Sequence, residues 1–275
     1  MDKDKYPFAV RLIGFEPAEH AQIAAMLELA PAHGPGYVPL HEDSLQEPDL
    51  FVANGSRIEA LAALAACNPE PMQPALAVGE APPELCAACV ERPLDMRILL
   101  AELARLVELR ADAIAQRSSR GLPVVPERRR RQRPDLDLSD PAQYLSQRQQ
   151  PPDGAVLIVD TGGTLREHVS RLLGGRKRAV EWTDCAAAAL RLCDETAVSV
   201  VLINTSTPHI DPYGLCASIK ALPNARRTAV VFLVGGTFGY DPDRARSVGV
   251  RGLLDKPVAE RHLAGALKKL LSLPT

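Results

Sequence analysis

An α/β fold, built as two doubly wound parallel sheets in tandem, is the architecture this sequence predicts. Three observations carry that expectation. Short apolar runs alternate with amphipathic segments in both halves of the chain, the apolar runs stop abruptly on polar or glycine residues, and the order of elements in the first half recurs in the second. The runs are continuous rather than alternating, which marks strands buried on both faces.

The C-terminal half shows the pattern most clearly. AVLIVD (155–160) is an apolar run followed by the turn Thr161-Gly162-Gly163. TLREHVSRLLGG then places Leu165, Val169, Leu172 and Leu173 at helical spacing and ends on Gly-Gly. A weaker strand, AVEW (179–182), precedes the Ala-rich helix CAAAALRLCDE. SVVLIN (199–204), the helix YGLCASIKAL, the strand TAVVFLVGG (228–236) and a helix near DPDRARSVG follow. RGLLDKPV and ERHLAGALKKLLSL close the unit as strand and helix. Each helix before the closing one lies between two strands, the connection a parallel pair requires.

The N-terminal half repeats this order with weaker signals. FAVRLIGF (8–15) leads into PAEHAQIAAMLEL, whose Glu19-His20 sits as Glu167-His168 does in the second half. PDLFVANG (48–55) parallels SVVLIN, with Asn54 near the lip, and IEALAALAAC and PALAVG (74–79) supply a helix and a strand. VERPLDMRILLAELARLVEL then runs parallel to LLDKPVAERHLAGALKKLL. Between the halves, residues 116–153 are polar and rich in proline and arginine with no sustained apolar period, a composition that cannot bury a core. The expected organisation is a domain over 6–115, a disordered or partly helical linker over 116–153 with a short helix around Pro141 to Gln147, and a domain over 154–273.

Composition excludes several function classes. A formal net charge of -2 gives no overall pull toward nucleic acid or anionic membranes, and 4% aromatic residues leave little for base stacking. No apolar run approaches the ~20 residues of a membrane-spanning helix, and MDKDKYPFAV is charged where a signal peptide would be apolar. Six scattered cysteines fit reduced thiols, and a cytoplasmic location is expected. CAAC (86–89) has metal spacing but no second such pair, so structural cysteines packing in a helix against the sheet are expected. The run ERRRRQR (127–133) is balanced by Asp135, Asp137 and Asp140 and is read as a solvated charge run.

The strand ends carry the functional signal. VLIVD ends on Asp160, VLINTSTPHIDPYGL places Asn204 at the lip with Pro208 and Asp211 beyond, FLVGG places Val234 at the next lip, and LLDKPV supplies Lys256-Pro257. In order and spacing this half resembles the receiver domains of two-component response regulators. The resemblance implies two CheY-like (flavodoxin-like) doubly wound five-stranded parallel sheets joined by the Pro/Arg-rich linker. It also implies a phosphorelay context, a protein partner in a bacterial signalling pathway and the option of a homodimer. In that family, strand one ends in an acidic pair, strand three in the phosphoacceptor aspartate, strand four in Thr or Ser and strand five in Lys-Pro.

The departures decide the chemistry. Thr161 stands where the second acid is expected, Asn204 where the phosphoacceptor is, Val234 where the hydroxyl is, and Leu253 at the aromatic position. An uncharged amide is a very poor nucleophile toward phosphorus. Mg²⁺ wants hard, preferably anionic, oxygens, of which only Asp160 is left. The expectation is a degenerate phosphorylation pocket formed by Asp160, Thr161, Asn204, Val234 and Lys256, with no catalytic residue, metal or cofactor, and with Asp160 and Lys256 pairing directly across the strand ends. In the first half the strand ends are Gly14-Phe15-Glu16, Ala53-Asn54 and Gly79, with Arg92-Pro93 in place of Lys-Pro, a resemblance of topology alone.

VDTGGT (159–164) resembles the first phosphate loop of actin-like sugar and acetate kinases. A helix signal follows it where that superfamily has a strand, so it is read as a βα turn with Thr164 as N-cap. The arginine run resembles the start of PilZ-type cyclic dinucleotide domains, but no barrel pattern follows. His209 and Asp211 are taken as loop residues beside Pro208 and Pro212. The expected function is that of a non-enzymatic adaptor or regulator, independent of aspartyl phosphorylation, that contacts partners through residues 240 to 272. The alternative is a small-ligand sensor, for a nucleotide or cyclic dinucleotide, using the crevice bounded by Asp160, Asn204, Gly235 and Lys256.

Overall fold

The computed structural model describes residues 7–29, 34–120, 154–174 and 178–271, which form two compact units. The first takes residues 7–42 and 47–120; the second takes Asp43–Gln46 with residues 154–271. The helix expected around Pro141 to Gln147 and the arginine run 127–133 lie outside the described residues.

The first unit runs β1 (Phe8–Ile13), α1 (Pro17–Glu28), β2 (Tyr37–Pro39), β3 (Leu50–Asn54), α2 (Ile58–Cys67), β4 (Ala75–Val78), β5 (Ala88–Val90) and α3 (Met96–Ser119). Its sheet has the order β2-β1-β3-β4-β5, and every pair is parallel. Ile23 and Leu27 of α1 and Leu99, Leu103 and Leu106 of α3 pack on one face with Val10, Val52 and Leu76. The other face has a thinner cover, Leu64 of α2 over Phe51, Ala53 and Ala75, because the connections 40–49 and 79–87 contain no helix. The CAAC stretch is not helical: Cys89 lies in β5 and Cys86 is buried in the turn before it. Alanine and cysteine carry little strand signal, which is why this short strand is hard to read. Helix α3 starts on an Asp95 cap, whose Oδ1 accepts the N–H groups of Arg97 and Ile98, and continues through residues 116–119, where the linker was expected to begin.

The second unit runs β6 (Ala155–Val159), α4 (Thr164–Leu173), β7 (Val180–Thr183), α5 (Ala186–Glu195), β8 (Val198–Asn204), α6 (Pro212–Ala221), β9 (Ala229–Val234), α7 (Pro242–Val248), β10 (Gly252–Asp255) and α8 (Glu260–Leu271). The order is β10-β9-β8-β6-β7, again all parallel. Alternate residues of one strand feed opposite cores. Val156 and Ile158 pack with α4 and α8, while Leu157 and Val159 pack on the face covered by α5, α6 and α7. That two-sided burial is the physical origin of the continuous apolar runs. Asp211 and Asp241 cap α6 and α7, accepting the N–H groups of Tyr213 and of Asp243 and Arg244. Helix α4 begins differently from expectation: Gly163 occupies the N-cap position and Thr164 is the first helical residue.

Both units are thus doubly wound α/β sheets with the same strand order in space, and each has a cis peptide bond before the proline that follows its last strand, at Arg92-Pro93 and at Lys256-Pro257.

Candidate functional site

In an open parallel sheet the crevice lies at the carboxyl ends of the strands, where the strand order reverses. In the second unit that point falls between β6 and β8, and the residues delivered there are Asp160, Thr161 and Asn204. Lys256 arrives from the end of β10. Four of the five expected pocket residues therefore meet. The fifth, Val234, ends β9 with its side chain in the hydrophobic core, and it contributes only its carbonyl, which accepts the Lys256 N–H at 2.7 Å.

One amide organises the site. Asn204 Nδ2 donates to Asp160 Oδ1 at 2.7 Å, and Asn204 Oδ1 accepts from Lys256 Nζ at 2.6 Å and from the Ser206 N–H at 3.0 Å. The Ser206 N–H can only donate, so it fixes which end of the amide is oxygen. Lys256 Nζ also donates to Ser206 Oγ at 3.0 Å, and Asp160 Oδ1 accepts the Thr161 N–H at 2.8 Å. The direct Asp160–Lys256 pairing expected from sequence is replaced by a relay through Asn204. An amide carries both a donor and an acceptor, so it joins a carboxylate to an ammonium without bringing the two charges into contact. Burial holds the Lys256 pKa below its ordinary value, and the field of Asp160 works in the opposite direction.

The donor set does not fit a divalent cation. Among the described residues Asp160 is the one carboxylate joined to this network, and its Oδ1 already accepts two N–H groups. Among the described residues no cluster of three His, Cys, Asp or Glu side chains is placed to hold a metal. His209 lies on the exposed loop after β8 with a left-handed backbone, while Asp211 is committed to capping α6 and to Arg244 at 3.4 Å. They form no catalytic pair.

The first unit repeats this wiring, which sequence reading missed. Asn54 Nδ2 donates to the Gly14 carbonyl at 3.2 Å, and Asn54 Oδ1 accepts from the Ser56 N–H at 3.1 Å and from Arg92 at 3.0 Å. Arg92 also pairs with Glu19. In both units an asparagine at the lip of the third strand donates toward the end of the first strand. It accepts from the N–H two residues on and from the basic residue before the cis proline. The signal was present as Asn54 and Arg92-Pro93, but only their spatial meeting gives it meaning. The first unit also carries a groove of about 510 Å³ at the end of β1, with Ile13, Phe15, Leu40 and Ala60 along it. Its two arginines are engaged, Arg57 with Glu16 at 2.6 Å and Arg11 with the Glu42 carbonyl at 3.2 Å.

Comparison with known proteins gives one family: residues 156–268 match the response regulator receiver domain. Response regulator UvrY of Escherichia coli strain K12 is 29% identical over 119 residues, which is 42% of this chain and 54% of that protein. The chain spans about half the length of the curated relatives it matches. Among solved structures, the receiver domain of a sensor histidine kinase from Pseudomonas aeruginosa is 19% identical, with 44% of this chain and 98% of that one covered and a TM-score of 0.38. Chemotaxis response regulator CheY4 of Vibrio cholerae is 22% identical, with 43% and 98% covered and a TM-score of 0.39.

Proposed function

We propose that this chain, whose residues 156–268 match the response regulator receiver domain, transmits a signal by protein–protein contact without aspartyl phosphorylation. The observation that carries the reading is the Asn204 amide at the lip of β8, which holds hydrogen bonds with Asp160 on one side and Lys256 on the other; the reading puts this amide in the phosphoacceptor's place. An amide oxygen without charge does not attack phosphorus at a useful rate, and Asp160 alone does not assemble the cation that would gather the phosphoryl oxygens. The pocket is degenerate in this reading: Asp160, Thr161, Asn204, Val234 and Lys256 support structure and no transfer chemistry. The first unit is read as a second receiver-like domain on the strength of its strand order and its matching lip. No helix of the described residues is long and apolar enough to cross a membrane.

The contacting surface in this proposal is residues 240 to 272, which include α7, β10 and α8. Two measurements test it. Incubation with acetyl phosphate and Mg²⁺, followed by intact mass measurement, is expected to leave the protein unmodified; a stoichiometric, hydroxylamine-sensitive phosphoryl adduct would overturn the reading. Capture of partners from a bacterial extract with the full chain is expected to weaken on charge reversal at Arg246 or Arg251, both exposed. Equal capture by the reversed variants would move the surface elsewhere.

A further inference from the structure

Strand β10 is the edge strand of the second sheet, and an edge strand offers a row of backbone donors and acceptors to any extended segment that reaches it. In this unit the row is occupied by Asp43–Gln46. Ser44 forms a parallel bridge with Leu253, the Leu45 N–H donates to the Leu253 carbonyl at 2.9 Å, and the Leu253 N–H points back to the Asp43 carbonyl at 3.4 Å. Side chains then fix the register. Gln46 Oε1 accepts the Asp255 N–H, and Gln46 Nε2 meets His262 Nδ1 of α8 at 3.3 Å. Leu45 lies over Gly252 so closely that a Cβ there would fall 2.7 Å from its Cγ, and Asp43 accepts from the Tyr240 hydroxyl at 3.1 Å.

This is a recognition geometry and more than a passing contact. Gln46 is 3% exposed and Asp255 3%, so the amide of Gln46 serves a backbone N–H that water does not reach. Main-chain pairing supplies affinity, and two consecutive side chains, Leu45 over Gly252 and the Gln46 amide against Asp255 and His262, supply selectivity.

We propose that the edge of β10 is a docking groove for an extended peptide, and that Asp43–Gln46 is its built-in occupant. The partner segment it fits pairs in parallel with β10 and carries a leucine followed by a glutamine or asparagine. A partner reaches the groove only when the internal segment leaves, so the apparent affinity is reduced by the fraction of molecules whose groove is open. The proposal rests on the reading that this face of the second unit meets partners, and it names how that face is regulated.

The test uses the full chain, as wild type, Gln46→Ala and Leu45→Ala. Backbone hydrogen exchange is expected to quicken about ten-fold at Asp255 in Gln46→Ala, with the β8 amides unchanged as a control for folding. A fluorescent peptide of sequence LHEDSLQEPD is expected to bind both variants about ten-fold more tightly than wild type, and the same peptide with alanine for glutamine is expected to lose that gain. Unchanged exchange at Asp255 would show that the segment does not occupy the edge. Faster exchange with equal peptide affinity for all three proteins would show that the edge is no groove. Either result overturns this proposal while leaving the acetyl phosphate and capture tests of the broader function untouched.

Discussion

Asn204 stands between Asp160 and Lys256 as a donor to one and an acceptor from the other, at 2.7 and 2.6 Å. The residue that the family resemblance marks as a departure is structurally the piece that ties the two charged groups together. An aspartate in its place would accept from Lys256 equally well. It would have nothing to give Asp160, and it would set two carboxylates side by side.

Asn204→Asp is therefore expected to destabilise the second unit at pH 7 by about 1–3 kcal/mol, through the lost hydrogen bond and like-charge repulsion. Repulsion raises the folded-state pKa of the carboxylate pair above its unfolded value. The penalty then appears as pH rises through that raised pKa and fades on acidification. Thermal unfolding as a function of pH checks this: the variant should approach wild type toward acid pH and diverge toward neutral. Asn204→Ala, which leaves Asp160 and Lys256 both short of a partner, should show no such recovery.

Lys256 gives a second pH signature. Burial lowers its pKa, with Asp160 opposing, so between that lowered value and its ordinary 10.5 the folded chain binds fewer protons than the unfolded one. Stability contributed by this group accordingly rises with pH across that window: the cost of burying the ammonium is full at neutral pH and vanishes as it deprotonates. Lys256→Met removes the effect. The stability difference between wild type and variant, followed by urea unfolding, should grow in favour of wild type as pH approaches 10.5; a flat difference would mean that the ammonium is not desolvated.

Four strands of the second unit, β6, β8, β9 and β10, were legible because they are buried on both faces and so read as apolar runs, while the edge strand β7, half-exposed, gave the weaker signal. Asp160, Asn204 and Lys256 were legible as strand ends. Their relay was not, since it depends on residues 44 and 52 positions apart meeting at hydrogen-bond distance. In the first unit, β2 is three residues ending in proline and β5 is Ala-Cys-Val, both too short to show a period. The sheet they complete is fixed by tertiary pairing, as is the match between Asn54 with Arg92 and Asn204 with Lys256.

The same unit holds a buried ion pair that no pattern announced. Arg110 donates to Asp49 Oδ1 at 2.6 Å and to the Met72 carbonyl at 2.5 Å, and Asp49 Oδ2 accepts the Ala9 N–H at 3.0 Å. The Asp49 side chain is 2% exposed. Removing one partner of such a pair strands the other, so Asp49→Ala is expected to cost about 3–5 kcal/mol. Asp49→Asn keeps an acceptor for Ala9 and should cost less. Exchange of the β1 amides and urea unfolding of the full chain would separate the two variants, and equal stability of Asp49→Ala and wild type would refute the role.

Thiol chemistry follows burial in the same way. Burial pushes the Cys193 and Cys216 thiols up to about 11, and Cys86 likewise, with Cys89 adding to the effect, while Cys89 and Cys185 are exposed. The thiolate is the reactive species, so a small disulfide reagent at pH 8 should modify Cys89 and Cys185 first. Peptide mapping after brief labelling checks this, and early modification of Cys193 or Cys216 would contradict the packing. Because those folded-state pKa values lie above the unfolded ones, their contribution to stability is complete below about pH 8.5 and is lost as pH climbs toward 11.

Glycine substitutions separate packing from ligand binding at the two first-strand lips. Gly14 has φ of 74°, and a Cβ there would fall 2.2 Å from the Ala60 Cβ. Gly14→Ala combines left-handed strain with overpacking, about 2–4 kcal/mol in sum. Gly162 and Gly163 have open space where a Cβ would go, and Gly163 already sits at φ -72° and ψ -11°. Alanine at Gly163 should leave the fold intact or stabilise it by roughly 0.4–1 kcal/mol, since it narrows the unfolded ensemble without new strain. The Gly-Gly turn is thus not required by packing. If it existed to let a phosphate approach the backbone, Gly163→Ala would abolish nucleotide binding while preserving stability. On the present reading the wild type gives no thermal shift with nucleotides or cyclic dinucleotides, and Gly163→Ala melts at or above the wild-type temperature. A nucleotide-induced shift in wild type that disappears in Gly163→Ala would establish a ligand site at the end of β6 and displace the adaptor reading.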